Sequence, residues 1–153
     1  MPLLSIPNEA PIAIGGHTLT PSFVEGDITR DELSYYKQVT IPSQVKVLFY
    51  TWKKYGSGNL KWEEVLAPAI AIAENGFKVG PHRHHVFKRW EERIKSSPYH
   101  NRELLIEDEI PAIGDVMTQP TLANTLRRLA TEGAEDFYKG KIDREIANDF
   151  QEN

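Results

Sequence analysis

Apolar residues recur along much of this chain at steps of three and four, the spacing that places side chains on one face of a helix. Stretches with this pattern are separated by short segments rich in Gly, Pro and polar residues. The predicted helices cover residues 43–55, 62–75, 81–95, 119–132 and 142–150. The chain is therefore predicted to be mainly helical.

The helix predicted over 62–75 has the broadest apolar face. Pro68 lacks an N–H and crowds the turn before it, so a kink or a restart is expected there. Gly76 can adopt the left-handed conformation that closes a helix, and Phe77 can then fold back onto the last turn. The positions predicted to be buried are Trp62, Val65, Leu66, Ala69, Ile70 and Ala73.

The helix over 43–55 comes directly before it. Ser43 is a residue type that caps helix N-termini, and glycines follow Tyr55. The connection between the two helices is short, so they are expected to pack as an antiparallel pair. The predicted buried face of the first helix contains Val45, Leu48, Phe49 and Trp52.

The helix over 119–132 has the most regular pattern, and Gly133 ends it. Its apolar face is expected to bury against the helix over 62–75. A short turn over 134–138 precedes the last helix. The apolar face of 119–132 consists of Leu122, Leu126, Leu129 and Ala130, and that of the last helix of Ile142, Ile146 and Phe150.

The remaining segments are predicted to be irregular. Residues 1–26 are dense in Pro and Gly, which favours loops with at most a short strand near 11–14. Thr29 to Glu32 form a capping-box pattern, which predicts a short helix over 29–37. Residues 98–115 are acidic and irregular. We predict two parts, a loop-rich segment over 1–38 with one short helix and a single helical domain over 39–153.

Composition narrows the class of protein. Hydrophobic residues make up 40% of the 153 residues and charged residues 26%, which is ordinary for a globular protein. The net charge of −4 argues against a nucleic-acid-binding protein, which would cluster Lys and Arg. No apolar run is long enough to span a membrane, and the N-terminus lacks the features of a signal peptide. No compartment is predicted.

The densest group of candidate metal ligands is Pro81 to His85, with His100 further along. On a helix His82 and His85 share a face, and imidazole is a ligand of zinc or copper. His84 points elsewhere, however, and nearby arginines and lysines oppose a bound cation. The alternative is a basic helix that faces solvent or a partner, and no metal site is predicted.

The candidate acid–base groups are Glu103, Glu107, Asp108 and Glu109. Glycosidases use two carboxylates at a set distance, but a run of acids in a loop is usually solvated. The chain has no Gly-rich phosphate loop, no nucleophile elbow and no Cys. No catalytic, cofactor-binding or metal-binding residue is therefore predicted in this chain, and no cofactor.

Five short motifs follow one another along the chain. They lie at residues 39–45, 52–56, 60–77, 114–126 and 133–142. In order they resemble the patterns "V.VPG.V", "H..YG", "LPW..LL.PAI.LAE.GF", "G......QP.LA.TL" and "GA..FY.G.I" of the γ-glutamyltranspeptidase family. Ser43 stands where the family usually has Gly. The order and spacing of the motifs also resemble those of the family.

The resemblance implies a γ-glutamyltranspeptidase-like N-terminal-nucleophile hydrolase. Such proteins have a four-layer αββα fold and cut themselves into a large and a small subunit. The new N-terminal Thr of the small subunit attacks an amide, with its own amine as base. This chain would then be the helical lobe of the large subunit, with little or no sheet of its own. Its partners would be the small catalytic subunit or the rest of the parent chain, and a γ-glutamyl or other amide substrate.

The chain departs from the family pattern in two places. The family carries "RE.AP" upstream, where the Arg grips the substrate α-carboxylate, but the position aligned with that Arg is Pro7. An amidohydrolase or acylase related to the transpeptidases is therefore a second possibility. Residues 27–35 resemble "G.IT.EDL..Y", which normally follows the last motif, and the capping-box helix explains them without ancestry.

Two functions follow from this comparison. The first is a part of an amide-cleaving enzyme whose Thr nucleophile lies outside this chain. The second is a stand-alone helical module that kept the helices, lost the chemistry and works by binding. The full reading frame distinguishes them, since only the first requires a Thr-bearing segment downstream.

Overall fold

The computed structural model describes residues 3–4, 10–18, 40–97 and 100–152. Most of these residues are helical, as predicted, and the strands are only two residues long. In chain order the elements are β1 (Leu3–Leu4), β2 (Ile12–Ala13), α1 (Gln44–Tyr55), α2 (Trp62–Asn75), β3 (Phe77–Lys78), α3 (Pro81–Arg89), α4 (Glu91–Ser96), α5 (His100–Leu104), β4 (Val116–Met117), α6 (Pro120–Glu132), α7 (Glu135–Lys139) and α8 (Lys141–Glu152).

The chain forms two compact units. One contains residues 1–62 and 131–153, and the other contains residues 63–130. The strand expected near residues 11–14 is present as β2, which pairs antiparallel with β1. The helix predicted over 29–37 lies outside the described residues, and the division at residue 38 stays a prediction.

Three aromatic rings form a cluster in the first unit, two of them from α1. Phe49 and Trp52 both contact Trp62, with ring centroids 5.0 and 5.5 Å apart. The indole N–H of Trp52 donates a hydrogen bond to the carbonyl oxygen of Leu60 at 3.0 Å. Large aromatic side chains bury much apolar area, so this cluster fixes α1 against the connection that follows it. The antiparallel packing of α1 on α2 stays a prediction.

The first turn of α1 is capped by a tyrosine rather than by Ser43. The predicted cap is wrong, because the Ser43 backbone is helical (φ −91°, ψ −9°) and its side chain makes no capping hydrogen bond. A capping side chain reaches the first turn from an extended backbone. The Tyr138 hydroxyl instead accepts a hydrogen bond from Lys46 N at 3.1 Å and donates one to Pro42 O at 2.7 Å.

The short turn predicted over 134–138 is the helix α7, and it packs closely on α8. The Asp136 side chain accepts a hydrogen bond from Lys141 N at 3.0 Å, which caps the start of α8. A Cβ at Gly140 would collide with the Asp136 side chain and Cα. Ala134 and Ile142 are buried on either side of this turn. Gly140 is therefore needed for close packing.

The second unit contains an antiparallel ribbon of β3 and β4, in which Phe77 pairs with Met117 and Lys78 with Val116. Val79 extends the pairing, since its N–H donates to Asp115 O at 2.8 Å. Gly76 leads from α2 into the ribbon with φ +89°, the left-handed conformation predicted for it. A strand of two residues is too short to show an alternating pattern, so the sequence did not predict the ribbon.

Only part of the predicted face of α2 is buried. Trp62 and Ala73 are buried, whereas Val65 and Ala69 are exposed. The buried residues 62 and 73 and the half-buried residues 66 and 70 lie along one line, and the apolar arc of the helix is wider than this line. Of the kink or restart expected at Pro68, the restart does not occur, because α2 is one helix that contains this residue, and the kink stays a prediction.

The helix predicted over 81–95 is divided at Trp90 into α3 and α4. Trp90 leaves helical geometry (φ −110°, ψ 17°). Lys88 and Arg89 end α3, and Glu91 begins α4. Cations suit the C-terminus of a helix and anions the N-terminus, so the reversal of charge marks the boundary.

Residues 98–115, predicted to be irregular, include the helix α5. The Ser97 hydroxyl accepts a hydrogen bond from His100 N at 3.3 Å, in the manner of a helix cap. A helix of five residues is too short to show a period in the sequence.

The face of α6 also differs from its prediction. Leu129 and Ala130 are buried as predicted, but Leu122 is 42% exposed and Ala123 is buried in its place. Two polar contacts join α6 to the end of α2. Gln119 N donates to Ala73 O at 2.7 Å, and Arg127 forms an ion pair with Glu74. Whether leucines of α6 also pack on α2 stays a prediction.

Candidate functional site

The three histidines of α3 lie in different environments. His82 and His85 are exposed, whereas His84 is half-buried and its Nδ1 lies 2.8 Å from the carbonyl oxygen of Pro111. A carbonyl can only accept, so this contact places a hydrogen on Nδ1. His84 therefore ties α3 to the loop before β4. Among the described residues, no group of three or more His, Asp or Glu side chains is arranged to hold a metal ion.

Three arginines of α3 and α4 lie beside aromatic rings. The guanidinium of Arg83 is 4.5 Å from the ring centroid of Phe77, the geometry of a cation–π contact. The guanidinium groups of Arg89 and Arg93 both lie near the exposed ring of Trp90, at 6.0 and 5.9 Å from its centroid. Some of the basic charge of this region therefore has an aromatic partner within the chain.

The acidic candidates form a tight hairpin. Ile106 and Glu109 exchange both backbone hydrogen bonds at 3.0 Å. Between them Glu107 and Asp108 have φ of 50° and 65°, the pair of positive values that defines a type I′ turn. Glu107 and Asp108 are exposed at the tip of this turn.

The other two acids have partners of their own. Glu103 accepts a hydrogen bond from the Thr121 hydroxyl at 2.9 Å, which joins α5 to the start of α6. Glu109 pairs with Lys95 at 2.8 Å. The structure therefore gives these carboxylates separate structural contacts.

A chain of ion pairs continues from Glu109. Lys95 also contacts Glu91 at 3.1 Å, and Glu91 contacts Lys88 at 3.1 Å. Hydrogen bonds from Lys95 and then Lys88 lower the pKa of Glu91, and hydrogen bonds to Glu109 and then Glu91 raise the pKa of Lys95. The contribution of Glu91 to stability is therefore present above its unfolded-state pKa and is lost as pH falls through the lowered value. These exposed pairs each stabilise little, but they connect α3, α4 and the hairpin.

The structure shows what residues of three sequence motifs do in the fold. Gly76 takes a left-handed turn into β3. Gln119 donates a backbone hydrogen bond that connects the start of α6 to α2, and Ala123 is buried. Tyr138 links the motif at 133–142 to the motif at 39–45 through Pro42 O. The role of Tyr138 was missed, because no local pattern signals a hydrogen bond between residues 96 positions apart.

The chain is similar to a known protein family and to several of its members. A family model described as Gamma-glutamyltranspeptidase matches residues 4–153. The glutathione hydrolase proenzyme of Pseudomonas aeruginosa is 34% identical over 106 residues, which are 68% of this chain and 18% of that protein. The oxamate amidohydrolase proenzyme of Klebsiella pneumoniae is 35% identical over 83 residues, 54% of this chain and 16% of that protein.

A solved structure shows the same fold. The γ-glutamyltranspeptidase of Helicobacter pylori superposes with a TM-score of 0.86 at 22% identity, and the match covers 99% of this chain and 46% of that one. The chain spans about a fifth of the length of the curated relatives that it matches first.

The chain belongs to the γ-glutamyltranspeptidase family, since the family model matches nearly all of it. The predicted fold class is confirmed, because the described residues are mainly helical with two short ribbons and have the fold of part of a solved family member. In the described part of the chain, no helix has the length and apolar character to cross a membrane.

Proposed function

We propose that this chain forms the helical lobe of the large subunit of an enzyme that cleaves or transfers amide-linked γ-glutamyl groups. The observation that carries the proposal is the family match over residues 4–153. Relatives named as glutathione hydrolases support the reaction class. The nucleophile is an N-terminal Thr of a second polypeptide outside this chain, called here the Thr-bearing polypeptide.

The contacts of the candidate residues support placing the chemistry elsewhere. A general base needs to lie within hydrogen-bond reach of a nucleophile. Glu103 contacts Thr121, Glu109 contacts Lys95, and His84 contacts a backbone carbonyl. Each contact joins two elements of the second unit, so these side chains hold the lobe together.

A second substrate class is favoured by Pro7. In the family pattern an Arg at this position grips the α-carboxylate of a glutamyl group, and Pro has no charge to do so. The similarity to an oxamate amidohydrolase points in the same direction. If the Arg has no substitute elsewhere, the enzyme hydrolyses amides that lack a glutamyl α-carboxylate.

The test is release of a chromogenic amine from γ-glutamyl p-nitroanilide and from a matched anilide without the α-amino acid group. Residues 1–153 alone should give no turnover, because the chain lacks the nucleophile. The product of the full reading frame should cleave one of the two substrates. Preference for the second anilide would support the amidohydrolase.

Turnover by repurified residues 1–153 would contradict the proposal. So would a full reading frame without a Thr-bearing segment, which would favour the stand-alone binding module. A control reaction with the Thr-bearing segment changed from Thr to Ala at its new N-terminus should be inactive.

A further inference from the structure

The junction between α2 and β3 contains the one Asn-Gly pair of the sequence, Asn75 and Gly76. Asn75 is the last residue of α2 and is exposed, and Gly76 follows it with φ +89°. Asparagine is a thermolabile residue. It is most reactive before glycine, because the glycine nitrogen can attack the side-chain amide carbon without hindrance from a Cβ. The junction therefore carries the groups needed for spontaneous deamidation.

The reaction needs no reagent other than water. A bond forms between Gly76 N and Asn75 Cγ, the bond from Cγ to Nδ2 breaks, and Nδ2 leaves as ammonia with the proton from Gly76 N. Water then opens the resulting succinimide ring. Opening at the side-chain carbonyl gives aspartate. Opening at the main-chain carbonyl gives isoaspartate, in which the backbone runs through the former side chain.

The folded structure keeps the two reacting atoms apart. Gly76 N donates a hydrogen bond to Ile72 O at 3.0 Å, so its proton is held within the last turn of α2. Asn75 is helical, and a helical backbone tilts the side chain toward the N-terminus of the helix, away from the nitrogen that follows. Attack on Cγ therefore requires the last turn of α2 to open.

The β-ribbon and α6 hold this turn closed. A Cβ at Gly76 would lie 2.8 Å from Met117 O, so β4 packs directly against the glycine. Gln119 N donates a hydrogen bond to Ala73 O at 2.7 Å, which joins the same turn to the start of α6. The close approach of β4 also requires a glycine at residue 76. Packing therefore both retains the reactive neighbour of Asn75 and restrains it.

We propose that Asn75 is a site of spontaneous deamidation whose rate is set by opening of the last turn of α2. The inference does not depend on the proposed function. The aspartate product places a negative charge beside Glu74 at the C-terminus of α2, where the helix dipole disfavours it. The isoaspartate product lengthens the backbone before Gly76, which displaces Gly76 N from Ile72 O and β3 from β4. Both products weaken the closed turn.

Peptide mass spectrometry of the purified chain, incubated at neutral pH, measures deamidation at Asn75, and chromatography separates the aspartate and isoaspartate peptides. The rate in the folded chain should be at least about tenfold lower than in a synthetic peptide of residues 70–80, because only the opened turn reacts. Asn59 is the internal control, since it is exposed between α1 and α2 but is followed by Leu60. In the urea-unfolded chain Asn75 should react much faster than Asn59.

Met117→Ala tests the control by the turn. Met117 is 2% exposed and pairs with Phe77, so its truncation should loosen the ribbon. Amide hydrogen exchange at Gly76 reports the same opening, so exchange at Gly76 and deamidation at Asn75 should accelerate in proportion. Ile113→Ala, at a residue that is 59% exposed, is the matched control and should change neither rate. If Met117→Ala does not fold, dilute urea added to the unchanged chain gives the same comparison.

Equal deamidation rates in the folded chain and in the peptide would overturn the inference. Faster exchange at Gly76 without faster deamidation at Asn75 would also overturn it, as would conversion of Asn59 at the rate of Asn75 in the unfolded chain. The deamidated chain, separated by ion exchange, should have a lower urea midpoint than the unmodified chain. An unchanged midpoint would contradict the weakening of the turn.

Discussion

Thr51 is a residue whose side chain fits its surroundings poorly. It lies in α1, and its hydroxyl is buried without a hydrogen-bond partner among the described residues. A buried polar group without a partner costs about 1–3 kcal/mol. Thr51→Val keeps the shape and removes the hydroxyl, so it should raise the free energy of unfolding by about 1 kcal/mol. Urea denaturation followed by circular dichroism measures the change.

Thr125→Val is the matched control in α6. The Thr125 hydroxyl donates a hydrogen bond to Thr121 O at 3.1 Å. The same substitution there removes a satisfied hydrogen bond and should not stabilise the protein. Equal stabilisation by both changes would show that valine acts through something other than the unpaired hydroxyl.

Gly76 provides the second prediction at this scale. Its φ of +89° disfavours any side chain, and a Cβ would meet Val116 at 2.5 Å and Met117 O at 2.8 Å. Left-handed geometry costs a residue with a Cβ about 1–2 kcal/mol, and forced packing adds about 1–3 kcal/mol. Gly76→Ala should therefore lower the free energy of unfolding by more than about 2 kcal/mol in the same urea experiment.

Two other glycines separate strain from crowding. Gly114 has φ +99° with open space around it, so Gly114→Ala should show only the backbone cost. Gly80 has an ordinary φ of −88° and open space, so Gly80→Ala should have little effect. Equal effects of Ala at residues 76 and 114 would contradict the close approach of Val116.

Single residues differ in how far the sequence could predict them. The conformation of Gly76 followed from its place after an apolar helix, which is local information. The hydrogen bond by which Tyr138 caps α1 comes from Lys46 N, 92 positions away in sequence, and a local pattern cannot predict such a contact. Ser43 failed as a cap because its backbone is helical, which its residue type does not indicate.

At the scale of elements, α1 depends on that distant tyrosine. The Tyr138 hydroxyl satisfies Lys46 N, one of the N–H groups that a helix leaves free in its first turn. Tyr138→Phe should lower the free energy of unfolding by about 1 kcal/mol. Amide hydrogen exchange in the first turn of α1 should also become faster, while exchange in α2 stays the same.

Tyr50→Phe controls for the loss of any tyrosine hydroxyl. The Tyr50 hydroxyl lies on the exposed side of α1 and accepts a hydrogen bond from Lys54 Nζ at 2.9 Å, which water can replace. Its removal should change stability little. Unchanged exchange at Lys46 in Tyr138→Phe would refute the capping role.

The corrected face of α6 gives the second prediction for an element. Leu129 is 4% exposed and Leu122 is 42% exposed. Truncation of a buried Leu removes apolar contacts and leaves a cavity, at a cost of about 2–5 kcal/mol. Leu129→Ala should lower the urea midpoint sharply and Leu122→Ala only slightly. Similar shifts for both would mean that α6 presents the face first predicted from its sequence.

Element boundaries show where periodicity is informative. The ranges of α1, α2 and α6 agree with the predicted helices to within a residue or so. The break at Trp90 and the short α5 were missed, because a helix of five or six residues contains too few turns to establish a period. The β-ribbon depends on pairing between residues 77 and 117, which a local pattern does not contain.

At the scale of the whole molecule, the motifs were more informative than the candidate chemistry. The patterns at residues 39–142 predicted the family, which the match over residues 4–153 confirms. The histidine and acidic clusters were considered as candidate chemistry and no site was predicted from them; their partners in the structure, such as Pro111 and Lys95, could not be identified from the sequence.

The central claim is that the chemistry of this family member occurs outside these 153 residues. The most direct test is to treat the active product of the full reading frame with an electrophilic glutamine analogue and to locate the covalent label by peptide mass spectrometry. The account predicts one labelled peptide that begins with Thr and lies outside residues 1–153. A label on a side chain within residues 1–153, with loss of activity in proportion to labelling, would contradict it.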